Sequence, residues 1–548
     1  MKPSKRQFDE ARELHVGRVD AYRRGELNDS EFRPIRLSYG LYYQLDHTSY
    51  MQRIKLPGGY MTGEQMEALA AITDDYGRGI THVTTRQDVQ IHWVPLERVG
   101  DIYQRLEAVG ITTRGACSDS IRNITACPFA GASPDEAFDV TPYAMALHDY
   151  FLFNPLNLTL PRKFKIAVEG CPIDCAQATI NDIGLYAKVK DGRRGFAVWA
   201  GGGLGASPFL AVPVLEFVAA EDVLIACEAV VRIQHRGGER KNRHKARLKF
   251  LVKKLGVARF ATAVEEEIAA VARERGPALR EDVLESVAGW KDAPPAPERP
   301  PVPPLPGFAA WETTNAPRQK DPRFSSPTIT LPLGDITSEQ LRAIARLARE
   351  VGNGTVRATN EQNLVMQWVR CSALPRLHAG LVEIGLAEGG ASLVTDVVSC
   401  PGLDYCSLAV TRSMGVGERI REHLAAADLD PVALGPFHVK ISGCPNSCGQ
   451  HHIGDIGLTG MMVKDEDGTE RPHYSFLLGG GVGEGHSRIG KRIFGRYPEE
   501  LAPRAIAALG RYFQLNRQPG ERFAEFADRV GMDALDALAQ AAVGGAIR

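Results

Sequence analysis

Four cysteines near the C-terminal end have the type and spacing of a metal centre: Cys400 and Cys406 in SCPGLDYCSL, and Cys444 and Cys448 in SGCPNSCGQ. Four thiolates suit a [4Fe–4S] cluster or a tetrahedral Zn²⁺. The C-x5-C and C-x3-C spacing is neither the C-x2-C-x2-C run of a small ferredoxin nor the paired C-x2-C of a zinc ribbon, so zinc stays open at this point. Four cations stand in other distinctive blocks of the chain. Arg86 sits in THVTTRQDVQIHW, Arg122 in SIRNITACP, and Lys163 and Lys165 in LPRKFKIAV. In a strand the two lysines share a face; a guanidinium can clamp an oxyanion through two N–H bonds, and a lysine can deliver protons. Taken singly, any of these cations reads equally well as a solvated surface residue.

A further segment, RIQHRGGERKNRHKARLKFLVKKLG, carries ten Arg or Lys between Arg232 and Lys254. Such a run can bind nucleic acid or an acidic partner, but its one aromatic is Phe250 and no nucleic-acid motif stands beside it. AGGGLGA, from Ala200, imitates a dinucleotide fingerprint; Ser207-Pro208 follows where the helix would have to begin, so that reading is rejected. Its glycines, Gly202 and Gly203 among them, would let backbone come close to a neighbouring group.

The elements that must position these residues come twice. LPGGYMTGEQMEALAAI matches LPLGDITSEQLRAIARL at an offset of 275, and THVTTRQDVQIHWV matches VRATNEQNLVMQWV at the same offset. EGCPIDCAQATINDIGL matches SGCPNSCGQHHIGDIGL at 273, and AGGGLG then matches LGGGVG after a longer loop at KDEDGTERP. Four blocks in one order mark an internal duplication. Thr62 with Gln65 and Thr337 with Gln340 predict a capping box ahead of each helix. Each first block would expose sheet edges that pairing across a pseudo-twofold would cover. KDAPPAPERPPVPPLPGF reads as an extended connector.

The copies differ where chemistry is expected. Arg86 aligns with Glu361, and Cys127, Cys171 and Cys175 align with Cys400, Cys444 and Cys448, but Ser133 stands opposite Cys406. The bland reading makes the three a decayed site of small buried hydrophobes; with Cys117 nearby, a second cluster is the alternative. Cys227 and Cys371 align with nothing and read as structural. The 548 residues, net charge −1 and ten cysteines fit a multidomain protein of a reducing compartment. No signal-peptide core or membrane span is visible. Expectation is therefore of a cytoplasmic protein binding neither nucleic acid nor membrane.

The cysteine set, the TTRQ, RN and LPRKFK blocks and the duplication together resemble the sirohaem- and [4Fe–4S]-containing sulfite and nitrite reductases of the assimilatory, ferredoxin-dependent type, from about residue 35 to the C-terminus. The resemblance implies an α+β, internally duplicated fold: an N-terminal helical extension (1–45), paired ferredoxin-like half-domains (46–113 with 325–390), a sirohaem and substrate domain (114–279), a Pro-rich linker (280–324) and a [4Fe–4S]/sirohaem domain (391–548). It implies that Cys400, Cys406, Cys444 and Cys448 hold the cluster, with Cys448 also the axial ligand of sirohaem. Arg86, Arg122, Lys163 and Lys165 would bind substrate and donate protons. Gln90, Arg236, Arg243 and Arg247, the last two on an R-x3-AR-x-KF helix, would join Arg86, Arg122, Gly202 and Gly203 around the cofactor. Lys163-Phe164-Lys165, where plant-type nitrite reductases read K-F-N, favours sulfite, with nitrite as the alternative. Reducing equivalents would come from ferredoxin, or less readily a flavoprotein subunit, and the internal twofold lets a monomer be complete. A non-catalytic electron carrier or sirohaem sensor would have no use for four substrate-facing cations.

Overall fold

The computed structural model describes residues 2–427, 429–464 and 468–544; positions 465–467 of the KDEDGTERP loop lie outside the described residues. Both capping boxes form: the hydroxyls of Thr62 and Thr337 accept the amides of Gln65 and Gln340, whose side chains return to the cap amides. Behind them the helices Gly63–Tyr76 and Ser338–Val351 bury Met66, Leu69 and Ile72, and Leu341, Ile344 and Ala348. They pack on each other in one core drawn from both copies.

The copies also trade strands. The first sheet runs Leu41–Tyr43, Tyr50–Ile54, Val89–Val94, Ile80–Val83 and then Asp335–Thr337 from copy two. In return Tyr60–Thr62 of copy one closes the sheet built from Thr328–Ile329, Leu364–Met366 and Thr355–Ala358. Each half-domain thus covers the other's edge, and with it the unpaired N–H and C=O groups that would invite aggregation.

Each second block has a core of its own and one plan. Thr125–Ala126, Ile166–Glu169 and Ile183–Lys190 pair in parallel, and Arg193–Ala200 and Val212–Ala219 continue antiparallel. Val398–Ser399, Val439–Ser442, Ile456–Lys464, Glu470–Leu478 and Lys491–Pro498 repeat the order. Every cysteine loop follows the C-terminal end of a parallel strand.

One expected boundary moves, and the linker is not wholly extended. The helix Val257–Gly289 continues through Pro277 and past residue 279, so the extended connector begins at Trp290. Within 280–324 a second helix, Phe308–Asn315, seats Trp311 (1% exposed) in the shared core. The extended stretch is pinned as well: Trp368 Nε1 donates to Asp292 at 3.1 Å, and Ala296 N donates to Gly352 O at 2.6 Å.

The N-terminal helix Lys5–Arg23 docks through His15, which stacks on Tyr39 with ring centroids 4.0 Å apart. Burial, helped by Arg114, pushes the imidazole down from 6.5 to about 3. The unfolded chain therefore binds a proton there that the folded chain refuses, and stability falls as pH drops from 6.5 towards 3. Wild type should lose about 1.4 kcal/mol per pH unit more than His15→Phe in this window; urea titrations at pH 6.5, 5.5 and 4.5 measure it. Parallel curves for the two proteins would show that His15 is not held neutral.

Candidate active site

The loop between Ile80–Val83 and Val89–Val94 carries TTRQ, and its copy-two equivalent carries TNEQ. Gln87 and Gln362 both adopt left-handed backbone (φ 53° and 64°), and their amides latch onto the strand leading to the first cysteine of each copy. Gln87 donates to Ala126 O at 2.8 Å and accepts from Ala126 N at 2.9 Å; Gln362 accepts from Ser399 N at 2.8 Å. These glutamines, which the sequence reading did not single out, tie each half-domain to a cysteine loop.

The loops then cross between copies. Thr85 Oγ1 donates to the Cys448 carbonyl at 2.7 Å, and Gln450 Nε2 donates to Thr85 O at 3.2 Å. The pseudo-twofold repeats this: Asn360 Nδ2 donates to Ala176 O at 3.0 Å, and Gln177 Nε2 to Glu361 at 2.9 Å. Cys448 consequently stands against the cation-bearing half of copy one, although it lies 363 positions from Thr85.

Cys400 is buried, Cys406 and Cys444 are half-buried and Cys448 is exposed. Gly443 N donates to Cys400 Sγ at 3.3 Å, while the amides of Leu408 and Ala409 face Cys406 and that of Asn446 faces Cys444. Burial pushes the Cys400 thiol up to about 12, with the Cys448 sulfur adding to the effect, and raises Cys406 and Cys444 too. Bound metal is what would hold such groups as thiolates. The donor set is soft, anionic and wrapped in N–H donors, which fits an iron–sulfur cluster.

Opposite Cys448, Lys163 and Lys165 flank the buried Phe164 (1% exposed) and both feel the Cys448 sulfur. Phe164 bridges to Ile121, just ahead of the strand Ile166–Glu169, so the alternation expected of a strand places the lysines together. Burial first, then Arg122, pushes Lys163 down to about 8; burial and Arg86 carry Lys165 well below its usual value. Arg122 donates to Ala116 O at 3.1 Å and Ser118 O at 2.9 Å.

Arg86 departs from expectation. Its terminal nitrogens are taken by Asn181 Oδ1 (2.6 Å), Asn123 O (2.7 Å), Ile166 O (2.8 Å) and Thr125 Oγ1 (3.3 Å). Here it is a strut tying together two strands and the loops beside them, not a free bidentate clamp, and burial lowers it to about 9. Gln90 faces Arg53 through its amide oxygen, and Arg53 pairs with Asp88 at 2.7 Å.

The basic segment is likewise internally paired. Arg247 grips Asp182 through Nε (3.0 Å) and Nη2 (2.7 Å), Arg243 meets Asp119 at 2.7 Å, and Arg236 pairs with Glu267 of the long helix. Arg243 lies on a short 3-10 turn (Arg243–Lys245), and Arg247, in extended backbone, caps the next helix Leu248–Leu255; the expected single helix is two pieces. Gly202 packs against its own chain, since a Cβ there would lie 2.4 Å from Thr179 O; one at Gly203 would meet Arg247 at 2.7 Å. Lys249 Nζ holds this glycine loop through Gly203 O, Leu204 O and Ser207 O at 2.6–3.1 Å.

Residues missed in the sequence enlarge the cationic floor. Lys55 is 3% exposed, and burial with Arg122, Arg86 and Arg114 around it pushes it down to about 7. The Nε atoms of Arg53, Arg86, Arg114 and Arg122 are buried without a partner. So many buried cations with open donors call for a polyanionic ligand, and a carboxylate-rich macrocycle fits them.

This chain belongs to the nitrite and sulfite reductase family. It matches the "Nitrite and sulphite reductase 4Fe-4S domain" at 117–271 and 390–544, and the "Nitrite/Sulfite reductase ferredoxin-like half domain" at 42–109 and 317–384. It is an oxidoreductase of the sirohaem and [4Fe–4S] class. The chain is 30% identical to sulfite reductase [ferredoxin] 1 of Mycolicibacterium paratuberculosis over 89% of its length and 83% of that protein. It is 32% identical to the ferredoxin–nitrite reductase of Synechococcus elongatus over 79% of its length and 80% of that protein. The solved NirA protein of Mycobacterium tuberculosis superposes with a TM-score of 0.79 at 26% identity, covering 96% of this chain and 97% of that one. Among the described residues no helix is long and apolar enough to cross a membrane.

Proposed function

We propose that this enzyme reduces sulfite to sulfide, taking its electrons one at a time from ferredoxin. The observation carrying this reading is the pair Lys163 and Lys165, held on one face by buried Phe164, beside Arg122 and against Cys448. Two ammonium groups match the dianionic charge of sulfite better than the single charge of nitrite. Cys400, Cys406, Cys444 and Cys448 would hold the cluster, and Cys448, whose loop meets Thr85 of copy one, would also hold the sirohaem iron. When bound, the two cofactors supply the one-electron chemistry at the iron.

The chain's own residues do the rest. Arg122, Lys163 and Lys165 orient the anion's oxygens, and the lysines, with proton affinities lowered by burial and by the neighbouring arginines, release protons to them. Six electrons and seven protons convert sulfite into hydrosulfide and three waters. Arg86 contributes fixed positive charge from behind, and Lys55, Arg53, Arg243 and Arg247 would meet the cofactor's carboxylates, Arg243 and Arg247 by exchanging Asp119 and Asp182 for them. We place the enzyme in the cytoplasm as a monomer, consistent with ten unpaired cysteines.

Lys165→Asn tests the substrate assignment. With reduced viologen as donor, the ratio of kcat/KM for sulfite over nitrite should exceed one in the wild type and fall about tenfold or more in the variant. A wild type that prefers nitrite, or a variant with an unchanged ratio, would overturn it.

A further inference from the structure

Copy one has kept three of the four cluster cysteines, and the fold brings those three together. The sulfurs of Cys127, Cys171 and Cys175 all lie within 4.8 Å of one another, the only such group of three or more potential metal ligands among the described residues. Cys117 does not join them. The four cysteines of copy two, all described, are not gathered this tightly, as suits thiolates that bind four different irons. Around a single tetrahedral ion, metal–sulfur bonds of about 2.3 Å place neighbouring sulfurs about 3.8 Å apart. The copy-one spacing has the scale of one ion.

The loops are built to hold that arrangement. Cys127 N donates to Val168 O at 3.2 Å, fixing the first loop to the strand Ile166–Glu169. Glu169, wholly buried where copy two has Ser442, accepts from Gly170 N (2.8 Å), Cys171 N (3.0 Å) and Ala176 N (2.6 Å), and folds the second loop around its carboxylate. The amide of Ile173 faces the Cys171 sulfur, as that of Asn446 faces Cys444. Cys127 and Cys171 are buried and Cys175 is half-buried, and Cys171 Sγ donates to Glu169 Oε1 at 3.3 Å.

We propose that Cys127, Cys171 and Cys175 form a separate mononuclear site for a thiophilic divalent ion such as Zn²⁺, with an exchangeable ligand such as water completing the tetrahedron. With Ser133 in place of a fourth cysteine, one ion would staple the two copy-one loops that a cubane would staple in copy two. Its test does not depend on the substrate.

Holoenzyme purified from zinc-supplemented medium should contain one zinc per chain in addition to its iron. Zinc-edge X-ray absorption should give three sulfurs at about 2.3 Å. Cys127→Ala, or the milder Cys175→Ser should the first fail to fold, should lose that zinc while the iron complement stays unchanged. Zinc-free wild type that does not take up one equivalent on addition, zinc retained in the folded variants, or a Cys171–Cys175 disulfide found by thiol counting would each overturn the proposal.

Discussion

Cys448→Ser should lower reductase activity by at least about 10³-fold, a barrier of about 4 kcal/mol, with little change in the stability of the polypeptide. The sulfur is exposed, and its loop is positioned through the Cys448 carbonyl, which accepts from Thr85 at 2.7 Å, and through Gln450. Neither contact involves the side chain. Serine keeps the shape but offers a hydroxyl that stays protonated near neutral pH and is too hard a donor for iron in a sulfur-rich site. Iron content and the visible spectrum should fall with the activity, while the urea midpoint of cofactor-free protein should stay close to that of wild type. Activity within tenfold of wild type would remove Cys448 from the shared-ligand role.

Gly449→Ala should be as damaging by another route, and should destabilise. A Cβ at Gly449 would lie 1.8 Å from Ile441 O and 3.1 Å from Cys400 N. Both are backbone atoms, and they are bonded to each other: Cys400 N donates to Ile441 O at 3.1 Å. Relief therefore means driving apart the loops that carry the first and last cluster cysteines. A loss of more than about 4 kcal/mol is expected, with little iron in whatever folds. Copy one supplies the control, because Ala176 stands at the equivalent position and its loop is reshaped around Glu169. Ala176→Gly should cost only about 1 kcal/mol. Equal effects at the two positions would refute the collision argument.

Much of this site could be read from the chain because duplication printed it twice. The T-x-x-Q caps, the cysteine alignment and the substitution of Arg86 by Glu361 are local patterns, and a repeat turns a weak pattern into a comparison. Even the covering of sheet edges followed from their exposure. The crossing strands, Tyr60–Thr62 and Asp335–Thr337, are three residues each, too short for alternation to announce them. The direction of Arg86 was not legible either, since it is set by acceptors at 123, 125, 166 and 181, scattered over three separate stretches of chain. The acids that pair with the basic segment, Asp119, Asp182 and Glu267, have no motif of their own. Arg53 and Lys55 did leave a trace, two cations two positions apart at the end of a strand, which is the same spacing as Lys163 and Lys165.

The exchange of strands between the half-domains also bears on how the chain is made. The strand Ile80–Val83 waits for Asp335–Thr337 before its sheet has a closed edge. At roughly 5–20 residues per second, that interval of synthesis is about 13–50 s. For that time the nascent N-terminal half presents an unprotected edge on the ribosome, a template for pairing with other chains. Dependence on holding chaperones should accordingly be concentrated in this window, before the second copy emerges.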